Sequence, residues 1–182
     1  MQDKPTYLGL LNAIAVGEAR GHAVLCAWRD VTPDPALAEV LNVVAIREQE
    51  HAAAFTKRLC ELGFALREKP STQFEENLQL ARSNAPDVDK FRRILGYQTG
   101  DEPSSGAQED PLANVFADRT IDPQTGALLG RFVAEERDSE RRLRGALAVL
   151  CSEPREDPVL TDIAARLDRL TATLEELRKL RA

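Results

Sequence analysis

Residues 34–62 read DPALAEVLNVVAIREQEHAAAFTKRLCEL, and this stretch decides the fold. Leu37, Leu41, Val44, Phe55, Leu59 and Leu62 recur at the three-and-four spacing that gathers one face of an α-helix. Two positions of the same stripe are polar. Glu48 and His51 stand three residues apart and so are neighbours on that face, replacing leucines in the seam. Asp34 before Pro35 reads as an N-cap followed by a first-turn proline, and Gly63 as the C-terminal stop.

Working back from Asp34, Thr32-Pro33-Asp34-Pro35 is a helix-ending turn. Pro5 to Asp30 before it predicts another helix, with Leu8, Leu11, Ile14, Ala15, Glu18, His22 and Leu25 on one stripe. If the two helices fold back antiparallel, Glu18 and Glu48 meet at the same height and His51 lies one turn further on. Two carboxylates and an imidazole inside an apolar pair are costly unless something pairs with them. A metal ion would serve, and so would a buried hydrogen-bonded network, with Arg20 or Arg47 reaching in to neutralise the acids. Gly17 and Gly21 flank Glu18 and leave room for a close neighbour, and His22 is placed to orient a ligand from one turn away.

Working forward, Ser71–Ser83 and Asp87–Leu95 predict short helices, the second capped by Asp87 and stopped by Gly96. Residues 98–110 read as an exposed loop, and 112–118 as a brief helical piece. Asp122-Pro123 repeats the cap-and-proline signal and opens a long helix to about Leu150. Its stripe is Leu129, Phe132, Glu136, Ser139, Leu143, Leu147 and Leu150. After a break at Pro154–Pro158, Leu160, Ile163, Leu167, Leu170, Leu174 and Leu177 form a heptad seam over about residues 158–181, for packing on the bundle or for a homodimer. No segment alternates like a strand. The expectation is one all-α domain over residues 1–182, with an irregular insertion over about 64–121.

The bulk numbers agree with this and exclude other classes. Charged residues make up 30% of the chain and aromatics 5%, and the net charge of −6 argues against a general nucleic-acid binder. Cys26, Cys60 and Cys151 form no C-x-x-C pair, so neither a zinc ribbon nor a redox dithiol is expected. Free thiols, no leader pattern and no membrane-spanning run lead to the expectation of a cytoplasmic protein.

Glu18, then Glu48-x-x-His51, then Glu136 on a later long helix, resembles the ferritin-like superfamily of bacterioferritin-type and rubrerythrin-type di-iron carboxylate bundles. The first half of that motif matches at Glu18, Glu48 and His51. In the second half, residues 130–143 resemble the fourth helix, with Glu136 at the ligand glutamate and Ser139 at the ligand histidine. A shifted alignment offers Glu135 and Asp138, which lie off the apolar stripe. The third-helix carboxylate has no clear counterpart, with Asp118, Glu75 and Glu76 as candidates.

The resemblance implies a four-helix bundle with extra short helices and a C-terminal fifth helix. Its metal ligands would be Glu18, Glu48, His51 and Glu136, holding one or two ions of iron, with manganese or zinc as alternatives. The implied chemistry is ferroxidase, oxidase or peroxide-related, on oxygen, peroxide or a small molecule, in a homodimer rather than a storage cage. The incomplete second half leaves a rival expectation: a metal-free bundle acting as a structural, interaction or stress protein.

Overall fold

The computed structural model describes residues 5–97, 120–152 and 167. Among them are five helices and no strand: α1 (Leu8–Arg29), α2 (Pro35–Glu61), α3 (Thr72–Arg82), α4 (Asp87–Ile94) and α5 (Pro123–Cys151). The chain divides into two compact units, Met1–Cys151 and Ser152–Ala182. All five helices belong to the first. In the second, Leu167 is helical and exposed. The rest of the heptad segment, the loop at 98–110, the piece at 112–118 and Asp118 lie outside the described residues.

Local chemistry sets most helix ends. The Asp34 carboxylate accepts from the backbone N–H of Ala36 (2.8 Å) and Leu37 (3.2 Å) and opens α2 with Pro35 in its first turn. Beyond α2 the chain reverses at Gly63, whose φ of +82° is the left-handed geometry that favours glycine. Ser71 Oγ caps α3 through the Phe74 N–H (3.2 Å). Asp122 caps α5 through the N–H groups of Gln124 and Thr125, both 3.0 Å. It also accepts from Tyr7 Oη (2.9 Å) and Thr125 Oγ1 (2.7 Å) and pairs with Arg58 (2.9 Å), so one carboxylate ties the starts of α1 and α5 to the end of α2.

Two sequence expectations need correction here. Helix α1 begins at Leu8 rather than Pro5, with Tyr7 at its N-cap position. Asp87 does not cap α4, because the cap position falls on Pro86. The Asp87 carboxylate instead accepts from Trp28 Nε1 (2.6 Å) and Thr32 Oγ1 (2.7 Å), fastening α4 to the end of α1.

Helices α1 and α2 run antiparallel, as the pairs Arg29–Asn42, His22–Ala45 and Glu18–His51 show. Helices α2 and α5 do the same through Arg47–Ser139, His51–Glu135 and Arg58–Thr125. The short helix α3 packs on α1, and α4 closes against α3 and α5. Lys90 of α4 is 1% exposed, its ammonium donating to the Ala81 carbonyl (3.1 Å).

The apolar core falls into two clusters. One gathers Val24, Leu25, Trp28, Leu37, Leu41, Phe91, Leu143 and Leu147. The other gathers Leu8, Leu11, Phe55, Leu59, Leu129 and Phe132. Burying one such side chain contributes about 1.5–3 kcal/mol, so these clusters carry the fold. On all three long helices the residues between the clusters are polar: Glu18, then Glu48 and His51, then Glu135, Glu136 and Ser139. No described helix is long and apolar enough to cross a membrane.

Candidate metal centre

The polar layer is organised around His51, which is 2% exposed. Its Nδ1 lies 2.9 Å from Glu18 Oε2 and 3.5 Å from Glu136 Oε1. Its Nε2 lies 2.7 Å from Glu135 Oε2. With these carboxylates ionised, each ring nitrogen donates to the oxygen it faces, an arrangement that favours the doubly protonated imidazole. Burial alone would lower its pKa, but Glu136, Glu18 and Glu135 together raise it to about 10. The ring packs edge-on against Phe132 with centroids 5.1 Å apart.

The surrounding acids are unequal. Glu18 is driven up by burial and by the Glu136 charge, partly offset by its bond to His51. Glu135 is partly buried, yet its bonds from Arg131 Nε (2.9 Å) and His51 hold it below the ordinary value. Glu136 Oε1 is buried and makes no hydrogen bond. Its 3.5 Å approach to His51 Nδ1 is a charge contact, since that N–H is already given to Glu18.

Of the four residues expected as ligands, three converge. Glu18, His51 and Glu136 each offer one donor atom, and these atoms lie within 4.8 Å of one another. Glu48 is outside this group. The register of α1 on α2 puts His51, not Glu48, opposite Glu18, and Glu48 opposite Gly21. The hydrogen bonds of Val31 N–H and Thr32 N–H to the Trp28 carbonyl carry the chain beyond the end of α1 and displace the pivot of the hairpin. The Glu48 carboxylate lies so close over Gly21 that an added Cβ there would overlap Oε2 and come within 2.7 Å of Cδ. Burial first, then the charges of Glu18 and Glu136, push Glu48 up to about 8.

The other candidates fall away from the cluster. His22 holds the Ala45 carbonyl at 2.7 Å. Glu75 and Glu76 are exposed on α3. Ser139 is 3% exposed and accepts from Arg47 Nη1 (3.2 Å), while the same guanidinium pairs with Asp138 (2.7 Å). Arg20 pairs with Glu68 (3.1 Å) and donates to the Lys69 carbonyl rather than to Glu18, Glu48 or Glu136.

Glu135, which lies off the apolar stripe in the sequence, also reaches the centre through His51 Nε2. The signal was present, because Glu135 follows Phe132 by three positions and flanks the apolar stripe. No protein-family model, curated protein or solved structure matches this chain.

Proposed function

We propose that the chain is a ferritin-like helical bundle that binds one divalent transition metal between Glu18, His51 and Glu136, and uses it in redox chemistry with oxygen or peroxide. One observation carries the reading: two carboxylates and an imidazole converge from three helices, and one of the carboxylate oxygens is buried with no hydrogen bond. The His51 ring approaches that oxygen at 3.5 Å without bonding it, and a metal ion held by all three groups would supply the bond it lacks. Carboxylate and imidazole donors suit iron, manganese or zinc, and the resemblance to ferritin-like bundles favours iron. Bound iron would supply one-electron transfer to oxygen or peroxide.

The residues divide the work. Nδ1 of His51 is the ring nitrogen that faces both Glu18 and Glu136, so it is the donor once its proton leaves. Nε2–H stays on Glu135, which fixes the ring and raises the basicity of the donor nitrogen. Glu18 and Glu136 balance the metal charge. Arg47 brings a guanidinium to Ser139, the position the family pattern gives to a second histidine, and this favours one ion over two.

The test is anaerobic titration of chelator-treated protein with cobalt(II), followed by its visible bands. The expected result is saturation at about one ion per chain, abolished by His51→Ala. Flat spectra at all ratios would sink the reading.

The rival reading is a metal-free bundle with a structural, interaction or stress role. It has its own supporting observation: both ring nitrogens of His51 already face carboxylates, so the network closes on itself. Under that reading His51→Ala destabilises the fold while the wild-type chain takes up no metal.

A further inference from the structure

Beside the polar layer lies a cavity of about 310 Å³ between α1, α2, α3 and α5 and the end of α4. Val24, Leu25, Phe74, Leu95 and Leu143 give it an apolar side, Arg20, Ser71, Gln73 and Asn77 a polar one, and the carboxylate it meets is Glu48. Among the described residues, Glu48 makes no hydrogen bond and no ion pair. Two neighbouring cations are committed elsewhere: His51 to Glu18 and Glu135, and Arg20, which lines the cavity, to Glu68 and the Lys69 carbonyl. Glu18 and Glu136 add negative potential from behind Glu48.

We propose that this cavity is a binding site for a small primary ammonium ion with a short apolar chain, its charged head on Glu48 and its chain among the aliphatic walls. The charge identifies the class: a cation is the ligand that draws the proton off Glu48 and answers the like charge of Glu18 and Glu136 behind it. An alcohol would leave Glu48 protonated, and a carboxylate would be repelled by Glu18 and Glu136. A metal ion would meet one carboxylate and no imidazole in this cavity, too few donors to hold it. An alkylammonium offers three N–H donors and a chain of about four to six carbons to fill a pocket of this class. The inference does not rest on the metal reading, because Glu48 stands outside the Glu18–His51–Glu136 group.

Gly17 supplies an independent handle. It lines the cavity, and a Cβ added there meets nothing within 4 Å, so a side chain grown from it starts in open space. The experiment titrates chelator-treated protein at pH 8.5, above the Glu48 titration and below that of the amine, with n-pentylammonium, n-pentanol and pentanoate, read by calorimetry and by amide shifts of α1 and α2. The expected result is saturable binding of pentylammonium in preference to the other two. Its affinity should fall at least about tenfold in Glu48→Gln, since a charge-assisted hydrogen bond is lost. Binding should vanish in Gly17→Leu without a lower melting temperature. Pentanol binding as tightly as pentylammonium, pentanoate binding best, no binding of pentylammonium, or unchanged affinity in Glu48→Gln would each overturn the assignment. Should Glu48→Gln fail to fold, the probe comparison and Gly17→Leu still decide it.

Discussion

Replacing Glu48 by glutamine should stabilise the metal-free fold, and by an amount that grows with pH. The folded carboxyl holds its proton up to about pH 8, whereas the unfolded chain releases it near 4.5. The cause is burial, with Glu18 and Glu136 adding like charge. The sign follows from proton counting: between those values the native state binds more protons than the unfolded state, so stability falls as pH rises. Each pH unit in that window costs about 1.4 kcal/mol, which reaches roughly 3 kcal/mol at pH 7, or about half that once solvent screening of the part-buried carboxylate is allowed for. Glutamine keeps the shape and carries no ionising proton. Urea unfolding of chelator-treated wild type and Glu48→Gln at pH 4.5, 7 and 8.5, followed by circular dichroism, reads the difference directly. A gap near zero at pH 4.5 that widens to about 1–3 kcal/mol by pH 8.5 is expected. A pH-independent gap, or one that narrows with pH, would refute the reasoning.

Other consequences are open to measurement. His51→Ala removes the cation between Glu18 and Glu135 and should cost about 3–5 kcal/mol at pH 7, seen as a lower urea midpoint. A variant as stable as wild type would show that the network does not support the fold. Because His51 titrates near 10 when folded, metal binding at pH 7.5 should release about one proton per ion. Calorimetry in buffers of different ionisation enthalpy measures that number, and zero would exclude His51 as a donor. Gly17→Ala should raise stability by about 0.5–1 kcal/mol, whereas Gly21→Ala should gain nothing until Glu48 is also shortened to alanine. Equal effects at the two glycines, by thermal unfolding, would disprove the close seat of Glu48 on Gly21.

The three long helices were legible because their apolar stripes hold the helical period over many turns. Asp34, Ser71 and Asp122 marked their own helix starts, since a cap acts on the next two or three residues and leaves a local signature. Asp87 carries the same signature and does something else. A Trp28 indole and a Thr32 hydroxyl, brought in by folding, claim its carboxylate, and no local pattern announces them. Lys90 reads as a surface charge, yet it is buried with its ammonium on the Ala81 carbonyl, because α4 closes over it.

The same division runs through the site. The stripe placed Glu18, His51 and Glu136 inward, because helical periodicity alone decides which side of a helix faces its neighbours. Which residue meets which depends on the register between helices. That register follows from how far the turn after Trp28 continues before α2 begins, and so His51 took the place expected for Glu48. That α3 and α4 pack against the long helices could not be read from a window of a few residues.

The central claim is that Glu18, His51 and Glu136 hold a metal. Its most direct test is metal analysis of protein purified without chelator or affinity metal, in parallel with anaerobic ferrous titration of wild type, Glu18→Gln, Glu136→Gln and Glu48→Gln. The account predicts about one ion per wild-type chain, weakened in Glu18→Gln and Glu136→Gln and retained in Glu48→Gln. A wild-type chain that takes up no ion under any condition would contradict it, leaving the charge network around His51 as an element of the fold alone.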